Sequence, residues 1–166
     1  MSTPLPGNSS QTARLMAAPP GFAVGWQEPV YIPDPAAGAN WKYTVDGRYS
    51  ERLVSVRFTF TASAVVADRF PLVHLADANG RVVGGYFAGS NIAASVVQTV
   101  TLSPGNQVVS NYGPTEVFGF LPDLLVPPGW AWSSSVPGVD VGDQISAITL
   151  IVQRFPNDAT SITAGE

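Results

Sequence analysis

Residues 54–61 alternate without a break. Val54, Val56, Phe58 and Phe60 are apolar, and Ser55, Arg57, Thr59 and Thr61 between them are polar. Successive side chains of a strand point to opposite faces, so this period of two predicts a strand with the four apolar residues buried. A helix would need apolar positions every three to four residues. The rest of the chain from residue 41 reads the same way. Trp41 to Val45 runs into Asp46-Gly47, and the stretches 69–77 and 81–88 flank Asn79-Gly80. Both dipeptides suit the positive φ angles of tight hairpin turns. Pro71 cannot donate to a ladder and marks the first of those two strands as an edge or an interrupted one.

Further strands are expected over 92–102, 116–121, 124–126 and 130–136, with turns at Ser103-Pro104-Gly105 and Pro127-Pro128-Gly129 and a bulge or close approach at Gly119. The run from Ile145 to Phe155 is long, unbroken and rich in β-branched residues, which places it near a sheet centre. About eight short strands between frequent turn signals predict an all-β fold, an antiparallel, jelly-roll-like sandwich.

Residues 1–40 differ. They hold seven of the fifteen prolines and little periodicity, and Gln11 to Ala18 could form no more than two helical turns before Pro19-Pro20-Gly21. Phe22, Val24, Trp26, Val30, Tyr31 and Ile32 punctuate the stretch, as anchors of an extended arm would. The expected organisation is an arm over 1–40, a sandwich over 41–156 and a tail over 157–166. The arm lies against its own domain or a neighbour.

Charge narrows the functions open to the chain. Only 12% of its 166 residues are charged, Lys42 is the sole lysine, and the net charge is −4. Nucleic-acid binding needs clustered cations, so it is not expected. No apolar run suggests a signal peptide or a membrane span. Cysteine is absent, which removes disulfides and thiolate metal sites.

Catalytic chemistry finds no foothold. His74 is the only histidine and sits inside a predicted strand; no Gly-x-Ser-x-Gly elbow, P-loop or dinucleotide fingerprint occurs. Asp140 and Asp143 could join a calcium site, yet a calcium cage needs six to eight oxygens, and Asp side chains capping their own turn explain the pair more simply. The chain therefore reads as a non-enzyme with no metal and no cofactor. The aromatics remain: Trp26, Tyr31, Trp41, Trp130 and Trp132 are the candidate interface residues, since Trp and Tyr are enriched at interface hot spots. Two or three of them on one exposed face would instead suit a carbohydrate-binding module. Trp130 and Trp132, two apart, share one strand face and so one environment.

The stretch Leu121-Pro122-Asp123-Leu124-Leu125-Val126-Pro127-Pro128-Gly129-Trp130 precedes Gly142-Asp143-Gln144 and a closing strand to Val152, with the strand 54–62 upstream. Over residues 53–152 this pattern resembles small β-sandwich virion structural proteins of tailed bacteriophages. The resemblance implies a capsid decoration or minor capsid protein, a major capsid protein or another virion protein as partner, a homo-oligomer such as a trimer, and residence in the virion. A tail or collar protein would use a similar sandwich.

Overall fold

The structure, a computed structural model, describes residues 25–87, 91–105 and 115–157. The predicted helical turns at Gln11 to Ala18 and most of the predicted tail lie outside these residues. The described elements are all strands: β1 (Trp26–Ile32), β2 (Lys42–Thr44), β3 (Tyr49–Thr61), β4 (Leu72–Ala76), β5 (Val82–Phe87), β6 (Val97–Ser103), β7 (Glu116–Phe120), β8 (Leu125–Val126), β9 (Ala131–Ser135) and β10 (Gln144–Pro156). They form two sheets. One runs β1-β10-β3-β6-β7 with β8 beside the start of β3, and the other runs β2-β9-β4-β5. Side chains from both sheets meet in one core that includes Trp41, Phe58, Phe60, Val73, Leu75, Trp132, Ile148 and Leu150. The all-β sandwich is as expected, with ten strands rather than about eight.

Several details depart from the sequence reading. β6 and β7 pair in parallel, so the six-stranded sheet is mixed rather than purely antiparallel. Trp26–Ile32, in the stretch expected to lie against its own domain or a neighbour, is an edge strand of the domain's own sheet, with Trp26 opposite Arg154 and Ile32 opposite Ile148. Pro29 concealed it; an edge position tolerates a residue with no N–H to donate. β4 lies between β9 and β5 and is not an edge. Pro71 sits just before its first residue, where a ladder loses nothing.

Asp46-Gly47 does not close a hairpin either. β2 pairs with β9 and β3 with β10, so the turn carries the chain from one sheet to the other. Asn79-Gly80 does close the β4–β5 hairpin: Gly80 has φ +80°, and its N–H donates to the Asp77 carbonyl at 2.9 Å. At the Pro127-Pro128-Gly129 turn, Gly129 has φ +79° and docks on the end of β2, donating its N–H to the Val45 carbonyl at 3.0 Å.

β10 is central, as its composition implied, and its register on β3 slips twice. Ala147 and Ile148 together oppose Phe58, and further along Val54 is an extra residue on β3. Each slip inverts the inside–outside alternation. That is why Leu53, not Val54, joins Val56, Phe58 and Phe60 in the core, and why Ile145 and Ile148, three apart, are both buried. The first bulge needs a left-handed residue, and Ala147 supplies it at φ 52°.

Candidate functional site

Of the five aromatics expected at an interface, two are in the core. Trp41 is 2% exposed and Trp132 is 1% exposed, so neither reaches a partner from this fold. Trp132 on β9 and Trp41 just ahead of β2 both point inward: Trp41 meets the Phe58 ring edge-on at 6.2 Å, and Trp132 lies 6.0 Å from the Tyr86 ring. Trp130, on the same side as Trp132, is half-buried against the same core. The aromatic platform that sugar binding would use on β9 is thus turned inward. Trp26 is partly exposed but occupied, stacking edge-on against Tyr49 at 5.3 Å and donating its indole N–H to Glu28 at 3.0 Å. Tyr31 alone stands free, 75% exposed.

The buried charges are spent on structure. At one end of the sandwich Glu51, fully buried, accepts from the Tyr43 hydroxyl at 2.7 Å and from Arg154 Nε at 2.8 Å, and Arg154 also pairs with Glu28. Burial, with a contribution from the Glu51 carboxylate, pushes the Tyr43 phenol up to about 12 against the opposing donation from Arg154. At the other end Arg69 and Asp143 form an ion pair with no exposed side-chain surface, Nε to Oδ2 at 2.7 Å. The Ser63 and Asp140 N–H groups also donate to Asp143, each at 2.7 Å. Burial pushes the Asp143 carboxyl up, but the Arg69 guanidinium and these two N–H groups outweigh it, and the pKa lies below the usual range. Arg69 donates further to the Ser63 hydroxyl at 3.0 Å and the Val65 carbonyl at 2.8 Å. Four loops are tied together here, because the Gly38 N–H also donates to the Asp143 carbonyl at 2.7 Å and the Arg69 N–H to Asn91 at 2.7 Å.

Asp140 caps its own turn, accepting from the Gly142 N–H at 2.9 Å. Among the described residues no three His, Cys, Asp or Glu side chains converge as metal ligands would. Nothing in the sequence pointed to Arg69 as the partner of Asp143, since the two are brought together only by the crossing of distant loops.

What the fold offers outward is surface. On the outer face of the six-stranded sheet one row reads Tyr31, Thr149, Arg57, Thr101, Phe118 across five strands, and the next reads Ser146, Thr59, Thr99, Glu116. The outer face of the other sheet carries Lys42, Ser133, His74 and Gly85 in one row, and Thr44, Ala76 and Val82 around the buried Ala131 in another. Hydroxyl side chains predominate on the first of these faces, and the charges in the four rows are Arg57, Glu116 and Lys42. Phe87 and Val83 are exposed on the edge strand β5. At the loop end above Arg69 and Asp143, Val65, Val66 and Val141 are 53%, 90% and 85% exposed.

No family model matches the chain, and no curated protein matches it. Among solved structures it is similar to a chain of the T13 particle of infectious bursal disease virus, at 13% identity and a TM-score of 0.39 over 90% of this chain and 35% of that one. It is similar to the Gx strain of the same virus at 13% identity and a TM-score of 0.39, over 95% of this chain and 38% of that one. For the VP2 subviral particle the values are 13% and 0.37, over 92% and 37%. The chain spans little more than a third of the length of each of these.

Proposed function

We propose that this chain is a structural protein of a virus particle, in particular a capsid decoration or minor capsid protein of a tailed bacteriophage, acting by binding rather than by catalysis. The observation that carries the reading is where the polar groups go: buried ions hold the two ends of the sandwich, and the sheet faces carry mostly hydroxyl and small side chains with few charges, Lys42, Arg57 and Glu116 among them. Such faces suit extended packing against other protein subunits, where charge is depleted at the interface core. The sequence resemblance over residues 53–152 supports the same reading. Its two motifs have structural roles here, the Pro-Pro-Gly turn docking on β2 and Asp143 anchoring the loop end. The partner is a major capsid protein or another virion protein, and the chain self-associates, with a closed ring such as a trimer as the expected form.

Attachment to the partner is expected to involve residues 1–24, which hold four of the fifteen prolines. The test is recovery of the protein in gradient-purified particles and its location in a particle reconstruction. Absence from particles would sink the reading. A chain lacking residues 1–24 should fold and bind particles at least about tenfold less well; undiminished decoration would show that attachment runs through the sandwich alone. Deleting residues 1–40 would be a poor test, because it also removes β1 from the sheet.

A further inference from the structure

Asn79-Gly80 is the one place in the sequence where glycine follows asparagine. That pairing has a chemistry of its own. The amide nitrogen of the following residue can attack the asparagine Cγ and close a five-membered imide ring, and glycine, with no Cβ, hinders the approach least. Asn79 and Gly80 are exposed, and a Cβ added at Gly80 would meet nothing within 4 Å. Among the described residues the Asn79 side-chain amide has no hydrogen-bond partner. Asn40, Asn91 and Asn157 precede larger residues, and their side-chain oxygens are held by the Ser134 hydroxyl at 3.1 Å, the Arg69 N–H at 2.7 Å and the Ser50 hydroxyl at 2.8 Å. Asp46-Gly47 could close the same ring, but Arg48 donates to the Asp46 carboxylate from its N–H at 2.9 Å and from its guanidinium at 2.9 and 3.0 Å. A carboxylate held ionised in this way is a poor electrophile.

The fold puts one obstacle in the way. The Gly80 N–H donates to the Asp77 carbonyl at 2.9 Å, and the nitrogen must give up that proton before it can attack, so the turn bond has to break first. Asp77 holds the turn closed from its buried side. One oxygen of its carboxylate accepts from the Asn79 and Arg81 N–H groups at 2.9 Å each, and the other accepts from Arg81 Nε at 2.9 Å. The ring therefore closes through a local opening of the hairpin tip, and the stability of the Asp77 contacts sets how often that happens.

We propose that Asn79 is a site of spontaneous deamidation in this protein, with Asp77 as the latch that governs its rate. In the opened turn hydroxide takes the Gly80 amide proton, the nitrogen forms a bond to Asn79 Cγ, and the Cγ–Nδ2 bond breaks, the leaving nitrogen departing as ammonia with a proton from water. Water then opens the imide. Attack at Cγ gives aspartate, and attack at the main-chain carbonyl gives isoaspartate, in which the chain runs through Cβ and Cγ. Both products add a negative charge beside Asp77. Isoaspartate also lengthens the backbone of the turn by one carbon, so the N–H groups of residues 79 and 81 no longer meet Asp77 together and the β4–β5 hairpin loosens.

Peptide mass spectrometry of the full chain, aged in mildly alkaline buffer, provides the test. Residue 79 should convert to a mixture of aspartate and isoaspartate while the protein stays folded, at a rate that rises with pH. The chain held unfolded in guanidinium chloride should convert at least about tenfold faster. Asp77→Ala in native buffer should convert at least about threefold faster than the wild type. Arg81→Ala removes only the exposed half of the latch, and it should also speed conversion, which keeps the comparison open if melting curves show that Asp77→Ala does not fold. Asn79→Gln, which would have to close a larger ring, should show no conversion at this position and an unchanged melting temperature. A folded wild type that leaves Asn79 intact while the unfolded chain converts fully would overturn the site. Conversion as fast in the folded protein as in the unfolded chain, or variants at Asp77 and Arg81 that fold and convert at the wild-type rate, would overturn the latch.

Discussion

Asp143 shows how far a single residue can organise this molecule. A carboxylate and a guanidinium without exposed surface carry a large desolvation cost, offset here by three donors on Asp143 and several acceptors around Arg69. Removing one partner leaves the other charged and buried. Asp143→Asn should therefore lower unfolding free energy by about 3–5 kcal/mol in denaturant melts, whereas Arg69→Met with Asp143→Leu should cost less than Asp143→Asn alone. Acid should act through the same residue. Donors to the carboxylate depress the pKa of Asp143 and of Asp77, and the side chain and N–H of Arg48 lower Asp46 to about 2. Folded-state values below the unfolded one give stability that is complete above roughly pH 5 and is lost as pH falls through the folded values. The melting temperature should be level from about pH 5 to 7 and drop below about pH 4, with a shallower drop in Asp143→Asn. Trp132 was legible as an aromatic of consequence, but residue type alone does not say which face of a strand points inward. Trp132→Ala should cost about 3–5 kcal/mol of stability, and Tyr31→Ala, at a free surface, within about 0.5 kcal/mol of none.

At the scale of elements, what the sequence revealed was periodicity, and what it concealed was where periodicity breaks. The alternation in Val56, Phe58 and Phe60 is that of the folded strand, the Asn79-Gly80 turn closes its hairpin, and β10 is central. Val54 was misplaced because one extra residue in β3 inverts the phase, and a single inserted residue leaves no compositional mark. The β10 bulge is equally silent, since alanine is an uncommon choice for a left-handed position. That choice is open to test. At φ 52° a Cβ is strained, so Ala147→Gly should stabilise the protein by up to about 1 kcal/mol, the relief partly offset by the greater freedom of glycine in the unfolded chain. Ala147→Val should destabilise it by about 1–3 kcal/mol, because a β-branched residue tolerates this region least. Equal melts for all three would mean that the bulge relaxes to an ordinary register. β1 was hidden for a different reason: Pro29 interrupts a short run with no clear period of two, which looks like an arm until the β10 edge is there to receive it.

The whole molecule is stitched from its two ends inward. β10, the last strand, lies between β1, the first, and β3, so the centre of the larger sheet requires pairing between distant parts of the chain. The loop end depends equally on distant partners, since Arg69 meets Asp143 and Gly38 meets the Asp143 carbonyl. Loop-closure entropy must be overcome before such contacts form, and sandwiches of this kind fold in about milliseconds to seconds. Refolding followed by tryptophan fluorescence should fall in that range, because Trp41 and Trp132 become buried only when the sheets meet. A chain ending at residue 143 would lose β10 and with it the ladders to both β1 and β3, leaving Val56, Phe58 and Phe60 without the Ile145, Ile148 and Leu150 side of the core. Such a chain should show no cooperative melt. A cooperative transition in it would mean that the four-stranded sheet with β3 and β6 forms an independent unit, and that the closing strand adds stability to a fold already made.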